Sequence, residues 1–257
     1  MSLVEVEIDD RQVAHLALNR PEVRNAFNAE LIRDLEEAVT SVSKESRVIV
    51  LSGRGKGFSS GADLEWMRGM AGYSHEENVE DSRKLQKMLE AIDGSPVPVV
   101  ARIHGAAIAG ATGVVACCDY AVASFETVFA FSEVRLGLIP AIISPYVVRK
   151  VGYSFARAMF LTAERFTAER ALQVELIHKV VPEDGLDSEV DRVVDDLLAG
   201  GPEALKGSRD LLDRVHGRPP GEVRGLTVET IAEKRVSAEG QEGVTAFLEK
   251  RPPNWNT

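Results

Sequence analysis

Cysteine is nearly absent from the chain: among 257 residues there are only two, Cys117 and Cys118, side by side. Neighbouring residues rarely bridge, and no Cys/His spacing matches a zinc site. A disulfide scaffold and a structural metal are therefore excluded, and a reduced, cytoplasmic protein is expected. Long apolar runs are missing too. The most apolar stretch, Ile103 to Cys118, carries His104 and three glycines, and is too short to span a bilayer. The N-terminus alternates Val4, Val6 and Ile8 without a basic region before them, so it predicts a strand and no signal peptide. Positive charge is also scarce, with 30 Lys and Arg against 40 Asp and Glu and a net charge of −10. With no dense basic run to offset that balance, nucleic acid is excluded as a partner. A small anionic ligand stays open, provided the few cations are focused where it sits.

What is present reads as a folded α/β protein. Apolar types make up 44% and charged types 27%, the balance of a globular chain rather than a disordered one. Val4–Ile8 and Val13–Leu18 predict paired strands across an Asp9-Asp10-Arg11 turn. Asn28 caps a helix carrying Leu31, Ile32, Leu35, Ala38, Val39 and Val42 on one stripe. Val48–Leu51 is an apolar strand, and Ser74 with Glu77 forms a capping box for the next helix. Val99–Ile103, Ala121–Ala123 and Val128–Phe131 complete the strand candidates. Beyond residue 150 helical stripes dominate, at Leu186/Val190/Val193/Leu197, Leu205/Leu211/Leu212/Val215 and Leu226/Ile231/Val236. The expected organisation is a core over residues 1–195 and a helical C-terminal region over 196–257.

Two glycine-rich loops carry the chemistry. Each follows a short apolar strand and leads into a helix, one through Ser60-Gly61-Ala62-Asp63 and one through Ala109-Gly110-Ala111-Thr112-Gly113. Helix starts offer unpaired N–H groups and partial positive charge. Two of them aimed at one point would make an oxyanion hole, with Ala62 and Gly110 as donors. Tight connections use the same residue types, and spacing alone does not separate the two. Neither loop fits a dinucleotide fingerprint or a P-loop. Gly57-Phe58-Ser59-Ser60-Gly61 fits the pattern of a serine-hydrolase elbow, with His178 and His216 downstream. Its serine, however, lies well past the strand end that such an elbow requires. Glu133, in Phe131-Ser132-Glu133-Val134, has apolar neighbours that push a carboxyl pKa upward, towards proton transfer near neutral pH. Pairing with Arg135 or facing solvent is the alternative for that side chain.

Taken in order, several motifs resemble those of the enoyl-CoA hydratase/isomerase (crotonase) superfamily across nearly the whole chain. They are Leu18-Asn19-Arg20-Pro21, Arg24-Asn25-Ala26-Phe27, Gly57 to Leu64, Pro98 to Gly113, Cys118-Asp119, Phe131-Ser132-Glu133, Leu161-Thr162-Ala163 and Ala246 to Arg251. The resemblance implies a crotonase-like α/β core of repeated ββα units and a helical C-terminal trimerisation segment. It also implies a homotrimer or a dimer of trimers, an acyl-CoA thioester as substrate and no separate cofactor. Ala62 and Gly110 would be the oxyanion donors and Glu133 the acid/base. Arg24, Ala26, Ala62, Asp63, Leu64 and Gly110, with Phe247 and Lys250 from a neighbouring subunit, would contact coenzyme A. Arg54 and Lys56 are weaker phosphate candidates.

One departure stands out. Hydratases of this superfamily carry two glutamates, and the first position here is Gly113. The segment Ser132–Pro140 with Ile143-Ser144-Pro145-Tyr146-Val147 looks like bacterial methylglutaconyl-CoA hydratases. A hydratase with Glu133 as its one acid/base is the expected activity. A Δ3,Δ2-enoyl-CoA isomerase, which needs only one carboxylate, and a non-catalytic acyl-CoA-binding member are the alternatives. The acyl pocket is expected from loops 65–73 and 142–146.

Overall fold

The N-terminal alternation produces a hairpin in the computed structural model, which describes residues 2–256. Strands β1 (Val4–Ile8) and β2 (Val13–Leu18) pair antiparallel, with Val4 opposite Leu18. Asp9 makes the turn by accepting the N–H groups of Arg11 at 2.9 Å and Val13 at 3.0 Å, as a short acid does in an Asx turn. Helix α1 (Ala29–Val42) starts where Asn28 accepts the Leu31 N–H at 2.8 Å. It buries Leu31, Ile32, Leu35, Val39 and Val42. Strand β3 (Val48–Gly53) follows and runs parallel to β2. Helix α2 (Leu64–Met70) is short, and α3 (His75–Asp93) begins on the Ser74/Glu77 capping box read from the sequence.

From there the chain runs through β4 (Val99–Ile103), β5 (Ala106–Ile108), α4 (Gly110–Cys117), β6 (Tyr120–Ser124) and β7 (Val128–Ala130). Next come α5 (Ser144–Val151), α6 (Tyr153–Thr162), β8 (Phe166–Thr167), α7 (Ala168–Gln173), β9 (Lys179–Val181) and α8 (Leu186–Leu198). Six strands form one sheet in the order β1-β2-β3-β4-β6-β9, parallel except for the first pair. A second sheet holds β5, β7 and β8. Parallel strands need crossovers and bury both faces, so β3 opens on an unbroken Val/Ile/Leu run, Val48–Leu51, rather than an alternating one.

The chain divides into two compact units between Arg192 and Val193, inside α8. The second unit adds α9 (Pro202–Val215), α10 (Pro220–Val236) and α11 (Ala238–Glu249). Prolines open α9 and α10, where a missing N–H costs nothing. The apolar stripes expected on these helices are present, but they are not core. Leu212, Ile231 and Val236 are 66%, 51% and 79% exposed. In the first unit α4 is the opposite case. Its small residues let it be buried on every side, with Ala111 through Cys117 all buried. Cys117 and Cys118 are buried and not joined in a disulfide. Among the described residues no helix is long and apolar enough to cross a membrane.

Candidate active site

The first glycine-rich loop is held by Asn25. This residue is fully buried in a left-handed conformation, φ 55°. Its Nδ2 donates to the carbonyls of Arg54, Gly57 and Phe58 at 2.9, 3.0 and 3.1 Å, and its Oδ1 accepts the Arg20 N–H at 2.9 Å. Beside it the Phe27 N–H donates to Gly61 O at 2.7 Å, and the Asp63 N–H to Phe27 O at 2.9 Å. The bond pattern skips Ala62, whose N–H has no acceptor within the described chain. Gly61 takes φ +85°, and a Cβ there would stand 2.7 Å from Ile108 O, so only glycine lets the two loops approach.

The second loop is set by strain and by one hydroxyl. Ala109 caps α4 with φ 53° and ψ −122°, a conformation L-residues avoid. It is pinned by its N–H donating to Ala130 O at 2.7 Å. Thr112 Oγ1 reaches Ala107 O at 2.7 Å and Ala130 O at 3.2 Å, tying the first turn of α4 to β5 and β7. Gly110, the first helical residue, is left with an N–H that donates to nothing in the described chain.

These two donors line one cavity of about 390 Å³ together with Glu133. Leu64, Trp66, Met67, Leu85, Leu138 and Ile142 form much of its apolar wall. Glu133 opens a 3-10 turn, Glu133–Leu136, and its Oε2 is buried without a hydrogen-bond partner. Burial pushes its carboxyl above the usual range, because an ion without partners is disfavoured in an apolar wall. Arg135, the alternative partner, instead donates to Thr162 O at 3.3 Å. Among the described residues, Glu133 is the only ionisable side chain lining this cavity, and none of the lining residues is a cation. The indole Nε1 of Trp66 is a second buried polar atom there without a partner.

Gly113 lies one turn into α4. A Cβ on it would stand 2.6 Å from Ile143 Cβ and closer still to Ile143 Cγ2. The space of a side chain at this position is thus filled by Ile143, which is 2% exposed and lines the same cavity.

The other expected contacts separate. Arg24 and Lys56 line a neighbouring cavity of about 330 Å³, reached by Ser60, which lines both. Arg165 joins them there and carries no motif that would have announced it. None of the three makes an ion pair within the described chain. Arg54 is engaged elsewhere, pairing with Glu5 at 2.7 Å. Asp63 is occupied structurally, its carboxylate capping α2 through the Glu65 N–H at 2.8 Å and pairing with Arg20 at 3.0 Å. Ala26 is buried, and its carbonyl accepts from Arg20 at 2.6 Å. Phe247 and Lys250 are exposed residues of the second unit, at and just past the end of α11.

The serine-hydrolase pattern dissolves. Ser59 is buried, its Oγ donating to Asn25 O at 2.7 Å and accepting the Gly61 N–H at 3.2 Å. Its hydroxyl braces the loop. Burial pushes the His178 imidazole down to about 4, and its Nδ1 accepts the Ala121 N–H at 3.0 Å.

Comparison with known proteins places the chain in a family. The family model for enoyl-CoA hydratase/isomerase matches residues 9–257. The chain is similar to a crotonyl-CoA hydratase from Syntrophomonas wolfei, 30% identical over 252 residues that cover 96% of this chain and 95% of that one. Among solved structures, an enoyl-CoA hydratase from Shewanella pealeana is 38% identical with a TM-score of 0.95, covering 98% of this chain and 96% of the other. One from Mycobacterium smegmatis is 33% identical with a TM-score of 0.93, each chain covered in full.

Proposed function

Since the chain belongs to the enoyl-CoA hydratase/isomerase family, we propose that it adds water across the 2,3 double bond of an enoyl-CoA thioester, with Glu133 as its acid/base. The observation that carries this is one convergence: two residues with unused N–H groups and one carboxylate whose Oε2 is buried without a partner line a single apolar cavity. In the reaction, ionised Glu133 takes a proton from water as the oxygen bonds to C3. The double-bond electrons move to the thioester oxygen, where the Ala62 and Gly110 N–H groups hold the charge. Glu133 then returns the proton to C2, so water has been added and the carboxylate is restored. Losing one such donor costs about 10²–10³ in rate. Coenzyme A enters as part of the substrate, its phosphates directed to Arg24, Lys56 and Arg165.

Isomerisation is the second reading, favoured by Ile143 in the place of a second acid. There Glu133 takes a proton from C2 of a 3-enoyl-CoA and gives it to C4, with the same enolate between. In both readings the absence of lining cations supports a neutral acyl group over the anionic 3-methylglutaconyl chain that the motifs resemble. The exposed apolar residues of the second unit, among them Val228, Val244, Phe247 and Leu248, support a homotrimer or dimer of trimers, which light scattering would size. Two buried, unbridged thiols go with a reduced cytoplasmic setting.

The test is a panel of a 2-enoyl-CoA, a 3-enoyl-CoA and 3-methylglutaconyl-CoA, followed by thioester absorbance and product mass. Addition of 18 mass units marks hydration, and unchanged mass with a gained conjugated absorbance marks isomerisation. Binding of all three without turnover would leave an acyl-CoA-binding protein.

A further inference from the structure

We propose that Ile143 is the specificity-determining residue that holds this site to a single acid; the inference rests on the enoyl-CoA reading above. Gly113 is three residues beyond Gly110 on α4, and residues so spaced share a helix face. A side chain at 113 would therefore point to the side on which the Gly110 N–H meets the cavity. That direction is closed, because Ile143 Cβ would lie 2.6 Å from the new Cβ. Ile143 cannot swing aside cheaply. It is the residue before α5, its carbonyl accepting the Val147 N–H at 3.0 Å, and it is packed in the core with Val147.

The chemical consequence is local. A water poised for attack needs two or more polar partners, and Ile143 presents only carbon. Glu133 is the sole ionisable group among the described residues lining the cavity, so proton traffic is confined to its side of the substrate. Adding a carboxylate at 113 alone cannot change that, because its stem has nowhere to go. The constraint is a pair of residues, one of which must shrink before the other can grow. Shrinking to alanine is not enough, since the alanine retains the Cβ that already clashes. Only Ile143→Gly clears the space.

Two measurements test this. The first is a stability cycle that does not depend on turnover. Gly→Ala inside a helix ordinarily stabilises, but here Gly113→Ala is expected to lower Tm in the wild-type background and in Ile143→Ala. In Ile143→Gly it is expected to raise Tm. A rise in the wild-type background would overturn the inference, because Ile143 would then not occupy that space. The second is a graft. Gly113→Glu/Ile143→Gly is expected to hydrate a straight-chain 2-enoyl-CoA at least about tenfold faster than Ile143→Gly, the low end of what a positioned acid/base contributes. Gly113→Glu alone is expected to gain nothing. Equal rates in the double and single variants, with both folded, would overturn the inference. Failure of the functional reading would look different, as no turnover of any enoyl-CoA by the wild type.

Discussion

Glu133 is a side chain costly to the fold and, on the proposed reading, needed by the site. Its buried Oε2 has no partner, and burial raises its pKa. A carboxyl whose folded pKa lies above its unfolded value contributes stability below the unfolded pKa, and that contribution is lost as pH rises through the folded pKa. At pH 7 the ionised group therefore weighs against folding. Glu133→Gln is expected to raise Tm at pH 7 and lose that advantage at pH 4, while lowering kcat by about 10²–10⁴. Thermal melts at the two pH values and a turnover assay check both halves. The same shift should appear in the wild-type pH profile. Activity that requires the ionised base falls on the acid side, with its midpoint above the ordinary glutamate range. A midpoint at or below the ordinary value would remove Glu133 as the base. Ala109 is a smaller case of the same conflict. Its positive φ costs on the order of 1–3 kcal/mol, so Ala109→Gly should raise Tm by a few degrees while leaving KM unchanged.

At the scale of elements, what the sequence disclosed follows local physics. The limits of β1, β2 and β4, the Asn28 cap of α1 and the capping box of α3 could be read because a few adjacent residues decide them. Strand β3 runs two residues past its apolar run, through Ser52 to Gly53, because pairing with β2 continues there. β8 has only two residues, too few to show a period. Glycine spacing marked Ala62 and Gly110 as candidates without separating an oxyanion hole from tight connections; that their N–H groups go unused is visible only in the folded chain. Ile143 beside Gly113 was not legible, since thirty positions of chain separate them and only tertiary packing joins them. Arg165 was hidden for the same reason. Asn25 links the two levels, because one buried amide fixes the loop that presents Ala62. Its Nδ2 donates to three carbonyls. Asn25→Asp replaces those donors with an acceptor facing acceptors, so a loss of about 2–4 kcal/mol in stability is expected. Denaturant titration measures it. A change within about 0.5 kcal/mol would show that the loop holds its shape without Asn25.

On the scale of the whole molecule, a net charge of −10 repels an anionic ligand at long range. Coenzyme A thioesters carry phosphates, so binding depends on cations left unneutralised at one place. Arg24, Lys56 and Arg165, exposed around one cavity beside that of Glu133, fit that need in the proposed reading. Arg54, tied to Glu5, does not. The contribution of each exposed cation is modest and screened by salt, which fixes how the test must be built. Arg165→Glu is expected to raise KM for a CoA thioester roughly tenfold at low ionic strength, with kcat nearly unchanged, because the side chain binds a part of the substrate that does not react. The effect should shrink as salt approaches 0.5 M. It should vanish for the matching pantetheine thioester, which has the same acyl group and no phosphates. Arg54→Glu, made as the control, should leave KM for the CoA thioester within about twofold. An equal rise in KM for the pantetheine thioester would mean that Arg165→Glu had disturbed the cavity wall, and the phosphate assignment would fall.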